Sequence, residues 1–225
     1  MAWGVRVTKV PESGAKRKML DAAERLVAEK GFDSVSIRDV TGAAKANVAA
    51  VNYHFGSRES LMDLVAMHIL EPLCAERLRA LEAAEAKAAG KLLSVAETVG
   101  LFVKALDPAA LQPEMEDLLF FRLTGRVLVL PDEILPPAIA EMKRGVNGRF
   151  LEALARALPG TPAAELSANW AFFESGLGQS LLAEDGSEIA GLMDRWIAFG
   201  VRGLGESSGS KRKKKDDPQG LLFEF

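Results

Sequence analysis

Three strong helix N-caps, Ser36, Asn47 and Ser57, follow one another at intervals of about ten residues, which leaves about two turns of helix between each pair. After Ser36, the apolar residues Ile37, Val40 and Ala44 recur at helical spacing, so a short helix is expected there. The stretch Lys45-Ala46-Asn47 breaks it, and after Asn47 the side chains of Val48, Val51 and Phe55 share one face of a second short helix. Upstream, Met19, Ala22, Ala23, Leu26 and Val27 stand at i, i+3, i+4, i+7 and i+8, the stripe of an amphipathic helix over 16–30 that Gly31 would stop. Two short helices across a three-residue turn, braced by a longer one, are the layout of a helix-turn-helix. Such a unit lays the N-terminal residues of its last helix in the major groove of DNA.

Composition bounds the rest. The chain has 225 residues, 48% of them hydrophobic, and a single cysteine, so it can bury one or two cores without a disulfide framework or a multi-cysteine zinc site. Cys74 alone fits a reducing cytoplasm. No apolar run has the roughly 18 residues of a membrane span, and Met1 to Val10 lacks the apolar stretch of a signal peptide. The net charge of -3 argues against a polyanionic partner only as an average: residues 1–60 carry +3, residues 61–205 carry -7 and residues 206–225 carry +1. A basic head on an acidic body suits DNA binding at one end only.

Beyond Ser57 a fourth helix carries Leu61, Leu64, Val65 and His68 on one face, and Pro72 is expected to bend it or start a fresh helix. Helical patterns then cover 92–106, 113–126, 136–158, 162–183 and 187–204, and none of the chain alternates strongly enough for a strand. The expected class is therefore all-α. In the last two helices Leu166, Trp170, Phe173, Leu177 and Leu181, and Ile189, Leu192, Met193, Trp196 and Gly200, form apolar sides, with Gly176, Ser180 and Gly200 allowing close approach. Leu166, Trp170, Phe173, Leu177, Met193 and Trp196 are thus candidates for a dimer interface, the alternative being an internal core pair.

The run Ser36-Ile37-Arg38-Asp39-Val40, then Ala43-Ala44, then Asn47 through Leu61 with its Asn52-Tyr53-His54-Phe55-Gly56-Ser57-Arg58-Glu59 segment, resembles the DNA-binding domain of the tetracycline-repressor (TetR) family. The stretches Phe121-Arg122-Leu123 and Arg149-Phe150-Leu151 are similar to its CecR/PsrA-like branch. Lys45 stands where that family usually has glycine, and it must take a positive φ or reshape the turn. The resemblance implies an N-terminal arm over 1–13, a three-helix helix-turn-helix head over 14–74, a C-terminal helical ligand-binding and dimerisation domain over 75–205, and a tail over 206–225. It implies a homodimeric repressor in the cytoplasm that leaves a palindromic operator in double-stranded DNA when a small apolar effector binds.

By the same resemblance the DNA-facing residues are Ser36, Ala46, Asn47, Val48, Ala49, Ala50, Asn52, Tyr53, His54 and Arg58. The chemistry agrees, since Tyr53, His54 and Arg58 can reach phosphate oxygens, Asn52 can read adenine, and alanine methyls can meet thymine. Lys16 and Arg17, with Lys18, Arg6 and Lys9, are expected either as a mobile arm over the phosphates or as a solvated basic tail. Candidates for an effector pocket are Phe102, Phe121, Trp170 and Phe172, with Arg122 as a carboxylate anchor and His68 as a further contact, although aromatics at helical spacing are ordinarily core.

The tail runs from a serine-rich spacer through Lys211-Arg212-Lys213-Lys214-Lys215 to an apolar end, a composition expected to be disordered until bound. Its Gln219, Leu221, Leu222 and Phe223 resemble the short peptide with which bacterial proteins dock on the sliding clamp. That makes a DNA-bound recruiter the rival reading, set against a tail that folds back or does nothing. No nucleophile and base pair, phosphate-cradling glycine loop or metal-ligand spacing occurs in the chain, so neither an enzyme nor a metal or other cofactor is expected.

Overall fold

The computed structural model describes residues 14–183 and 189–205, and among them every regular element is a helix. The head comprises α1 (Gly14–Lys30), α2 (Ile37–Ala44) and α3 (Val48–Phe55). Met19, Leu20, Ala23 and Val27 of α1 are buried, and Gly31, at φ 83°, closes the helix with an N–H donated to the Val27 carbonyl at 2.8 Å. A full capping box starts α2, because the Ser36 hydroxyl accepts from the Asp39 N–H while Asp39 takes the Ser36 N–H. In the turn that follows, Lys45 adopts φ 52°, ψ 43°, the left-handed one of the two expected alternatives, and Ala46 N–H reaches the Thr41 carbonyl at 2.9 Å. Asn47 then caps α3 by accepting from Ala49 N–H at 3.0 Å.

From the Ser57 cap, α4 (Arg58–Ala88) runs unbroken for 31 residues with Pro72 inside it. This corrects the expected fresh start at Pro72. Proline removes the N–H that would have bonded to the carbonyl four residues earlier, that of His68. That carbonyl is served from elsewhere, by the Gln112 side-chain N–H at 2.7 Å. A residue just beyond a separate helix thus supplies the donor that Pro72 removes. Residue 74, the expected end of the head, lies inside α4.

The body adds α5 (Val95–Lys104), α6 (Pro108–Leu111), α7 (Asp117–Leu128), α8 (Pro137–Ala157), α9 (Ala163–Ala183) and α10 (Ile189–Gly205). Several expected boundaries move: α5 starts at Val95 behind a Ser94/Glu97 capping box, α7 runs from Asp117 to Leu128 where 113–126 was expected, and Pro108, expected as a separator, opens the one-turn α6. Glycines set the closest crossings. A Cβ on Gly125 of α7 would stand 2.7 Å from the Gly178 carbonyl of α9, and one on Gly200 of α10 would meet Phe173 at 2.7 Å and Val99 at 2.8 Å. The aromatic centre of the body is Phe102, Phe150, Trp170 and Phe173, with Phe102 and Trp170 edge to face at 4.6 Å between centroids and Phe150 stacked on Trp170 at 6.1 Å. No described helix is long and apolar enough to cross a membrane.

Candidate nucleic-acid interface

Helix α3 is eight residues long, and its two sides differ sharply. Val51 is fully buried and Phe55 packs against the core, which turns Val48, Ala49, Asn52 and Tyr53 outward together. Tyr53 is 85% exposed and Val48 44% exposed, an unusual state for such side chains unless something covers them. Asn47 and Ser36, also exposed, stand at the capped starts of α3 and α2, where backbone N–H groups favour anions. Six of the expected DNA-facing residues thus lie on exposed surface, at the start and along one face of α3 or at the start of α2. Ala46, Ala50 and His54 are half-buried, and the two alanines pack against the core.

The expected basic contacts are arranged differently. Arg58 spends its Nε on the Val35 carbonyl at 2.7 Å and its Nη2 on the Phe32 carbonyl at 2.5 Å. Its guanidinium thereby pins the loop between α1 and α2, where a phosphate contact was expected. Lys16 and Arg17 belong to α1 and to no mobile arm. The Lys16 Nζ lies 5.5 Å from the Phe55 ring centroid, and Arg17 is paired with Asp21 one turn on, at 2.6 Å. Arg6 and Lys9 lie outside the described residues, as do the tail's basic block and Gln219, Leu221, Leu222 and Phe223. Arg38, exposed in the first turn of α2, is a cation that sequence reasoning passed over, although the Ser36 cap just before it was the available signal.

Polar contacts tie α1 to α4 and both helices to the body. His68 of α4, a candidate effector contact that a core role was expected to outweigh, puts its Nδ1 against the Glu24 carboxylate of α1 at 2.5 Å, with both side chains nearly sealed from solvent. Arg126 of α7 donates to the Ala28 and Glu29 carbonyls at 3.4 and 3.1 Å, satisfying the last turn of α1. Gln112, as described, holds the His68 backbone from the far side. The two contacts that reach α1 are polar and directional, so it is fixed in orientation as well as in position.

The expected pocket residues divide. Phe102, Phe121 and Trp170 are buried, whereas Phe172 is 75% exposed because its neighbour Phe173 occupies the buried phase of α9. Arg122 is half-buried on α7. Charges that the sequence reading missed are buried deep in the body: Arg77 of α4 is 2% exposed and Glu174 of α9 is 6% exposed. Both could have been found, since Arg77 falls in the stripe Leu70, Leu73, Leu81 and Glu174 stands one turn after Trp170. Burial pulls the Arg77 guanidinium down to about 10, a fall that the charge of Glu174 opposes. Burial likewise pushes the Cys74 thiol up to about 11, which makes it an inert core group at neutral pH.

The expected dimer residues also need correcting. Leu166, Trp170, Phe173 and Leu177 are between 0% and 2% exposed within this one chain, so they form its own core. Met193 and Trp196 are half-buried, and Trp196 lies against Gly176 and Phe173. The exposed side of α9 carries Ala164, Ala168, Ala171, Phe172 and Ser175, and α10 adds Phe199 at 50% exposure. No group of three or more metal-ligating side chains is present among the described residues.

Comparison with known proteins agrees with this architecture. Residues 19–65 match the family of bacterial regulatory proteins called the tetR family, and residues 101–193 match the tetracyclin repressor-like C-terminal domain; neither match singles out the CecR/PsrA-like branch. The chain is 31% identical over 70 residues to the nicotine-responsive transcriptional repressor HdnoR of Paenarthrobacter nicotinovorans, covering 31% of this chain and 36% of that protein. It is 34% identical over 62 residues to the transcriptional repressor KstR2 of Rhodococcus jostii, covering 28% and 30% respectively. The chain therefore spans about a third of the length of the curated relatives it matches. The crystal structure of Mycobacterium smegmatis AmtR shares the fold, with a TM-score of 0.57 at 18% identity over 88% of this chain and 90% of that one. With a head match and a body match in the expected order, together spanning more than half of its length, the chain belongs to the tetracycline-repressor family of bacterial regulatory proteins.

Proposed function

We propose that the chain is a sequence-specific DNA-binding repressor and not an enzyme, acting in the cytoplasm as a homodimer on a palindromic operator and released by a small-molecule effector. The observation that carries this reading is the outward face of α3, where Val48, Ala49, Asn52 and Tyr53 stand exposed together and Tyr53 is 85% open to solvent. A helix of this length, held at both ends by caps and braced by α1, fits the major groove. Asn52 reads adenine, Ala49 and Val48 meet thymine methyls, and Tyr53 donates to a phosphate. The two curated relatives are repressors by name, which supports the same direction of regulation.

The functional division is a head over 14–74 and a body over 75–205, with α4 common to both. Dimerisation uses the exposed apolar side of α9 and α10, around Phe172 and Phe199. Two copies paired there present two α3 helices to one face of the duplex. The effector binds within the body and shifts α4, and the Glu24–His68 and Arg126 contacts carry that shift into α1 and hence α3. An effector does this only by favouring one body arrangement over another.

Binding of the purified protein to a random DNA library, followed by sequencing, tests the proposal. Enrichment of a palindrome that Asn52→Ala recognises less selectively is the expected result. Absence of any enriched sequence overturns it.

A further inference from the structure

Around the ring of Phe102 the body holds three buried polar atoms with no hydrogen-bond partner: Arg77 Nη2, Trp170 Nε1 and Glu174 Oε1. They belong to one place. The Arg77 Cζ sits 3.4 Å from the Phe102 ring centroid, the Trp170 ring is edge-on to the same ring at 4.6 Å, and Glu174 follows Trp170 by one turn of α9. Buried polar groups in native proteins are nearly always paired, so three orphans in one cluster require an explanation.

Both charges are held by one arm and open at the other. Arg77 donates its Nε to the Phe102 carbonyl at 3.2 Å, which leaves Nη2 unfilled. Glu174 accepts from Asn147 on Oε2 at 2.9 Å and lies 3.8 Å from Lys143 Nζ, which leaves Oε1 unfilled. Lys143 is itself directed to Asp132 at 3.5 Å and to the Leu128 carbonyl at 3.5 Å. Arg77 has no carboxylate within ion-pair distance among the described residues, although Glu174 is close enough for the two charges to influence each other. The two cations Arg77 and Lys143 therefore face the single sealed anion Glu174, and the guanidinium is the group left without a counter-charge.

We infer that this cluster is a binding site for a small amphipathic organic acid, whose carboxylate is taken by Arg77 Nη2 and Trp170 Nε1 and whose apolar body lies against Phe102 and Trp170. A guanidinium fixed through Nε presents its remaining donors in the planar arrangement that a carboxylate matches, and an indole N–H alongside is a donor only. The aromatic rings supply the apolar wall. Glu174 Oε1 is a further acceptor for a hydroxyl or amide on a ligand that carries one. Arg77 thus replaces Arg122 as the carboxylate anchor. Because these atoms are sealed between α4, α5 and α9, occupancy requires those helices to part, which makes binding and rearrangement of the body one event. The inference rests on the reading that the body binds a small molecule, and it assigns that molecule a charge.

The test uses the full-length protein without DNA, titrated with decanoate and 4-phenylbutyrate, with the matching alcohols decan-1-ol and 4-phenylbutan-1-ol, and with decylamine, read by tryptophan fluorescence and by the shift in Tm. At least one acid is expected to bind about tenfold more tightly than its alcohol, the contribution of one charge-assisted contact, and decylamine more weakly than either. Arg77→Met should bring the acid down to the affinity of its alcohol, and Glu174→Gln should leave the preference for the acid in place. Equal affinity for acid and alcohol, preference for the amine, or an Arg77→Met protein that still prefers the acid would each overturn the inference. An Arg77→Met protein with a raised Tm, in a chain that binds no acid, would overturn it as well, by marking the cluster as a buried structural charge. Should Arg77→Met not fold, the wild-type series and Glu174→Gln still decide. Operator release is measured separately with whichever acid binds: binding without release supports the site while removing the effector role from it.

Discussion

Gln112 donates its side-chain N–H to the carbonyl of His68 at 2.7 Å, the carbonyl that Pro72 leaves without a donor in its own helix. A partly buried carbonyl without a partner costs about 1–3 kcal/mol, so Gln112→Ala is expected to destabilise the protein by about that amount. Pro72→Ala restores the N–H and removes the need for Gln112. The cost of Gln112→Ala should therefore shrink markedly in the Pro72→Ala background. Chemical denaturation of the two single variants and the double variant measures the coupling, and strict additivity would refute it.

Arg58 and Tyr53 should separate stability from DNA binding. Arg58→Ala unties the Phe32 and Val35 carbonyls and is expected to lower stability by about 1.5–3 kcal/mol, the range for bonds from a charged donor. If those two bonds are its whole role, the salt dependence of whatever DNA binding remains should be unchanged, whereas a shallower salt slope would show that its Nη1 also meets a phosphate. Tyr53→Ala, at an exposed position, should alter stability by no more than about 0.5 kcal/mol while weakening operator binding about tenfold. Thermal melts beside binding isotherms at two salt concentrations distinguish the pair.

At Lys45 the backbone stands at φ 52°, ψ 43°, where a side chain costs about 1 kcal/mol or more. Glycine removes that cost but adds freedom to the unfolded chain worth about 0.5 kcal/mol. Lys45→Gly should accordingly stabilise the head by about 0.5 kcal/mol, measured by urea denaturation. A loss of stability would show that the lysine side chain supplies something beyond its backbone.

For the dimer, the exposed Phe172 and Phe199 are the residues to charge. Phe172→Glu combined with Phe199→Glu should yield a folded monomer by sedimentation with much weakened operator binding. Were the double variant still dimeric, the interface would have to lie elsewhere.

The capping boxes predict an acid limit. The Ser36 hydroxyl holds Asp39 below its ordinary value near 3.8, and the Ser94 hydroxyl holds Glu97 below its ordinary value near 4.5. A carboxylate depressed in the folded state contributes stability above its unfolded value and loses it as pH falls through its folded one. The combined Ser36→Ala, Ser94→Ala variant should be less stable than the wild type at pH 7. The gap should narrow as pH drops below about 4.5. A gap constant from pH 7 to pH 3 in thermal melts would count against the linkage.

Much of the head could be read before folding, because its signals are local. Ser36, Asn47 and Ser57 cap the helices they precede, and Lys45 takes the positive φ that was one of its two expected outcomes. Where the reading failed, the deciding partner was distant in sequence. Pro72 looked like a break because Gln112, which repairs it, is 40 residues further on. The structural task of Arg58 was hidden because the carbonyls it serves belong to a loop before α2. The stripe of Trp170, Phe173 and Leu177 was visible, but periodicity does not say whether an apolar stripe meets its own chain or another copy, and here it meets its own. Arg77 and Glu174 were missed for a related reason: a charge within an apolar stripe is read as an interruption of the stripe, although it is in fact buried with it.

The unbroken course of α4 makes it a lever. Its 31 residues rise about 1.5 Å each, which is about 46 Å in all, and the 19 steps from Arg58 to Arg77 cover about 28 Å. A tilt of about 5° around the Arg77 end would carry the Arg58 end some 2.5 Å by simple geometry, roughly 5 Å in opposite senses across a pair of heads set about 34 Å apart on the duplex. A helix that bent at Pro72 would absorb such a tilt locally. Gln112, by bonding the carbonyl that Pro72 leaves open, sits at the point of the arm where such a loss would occur.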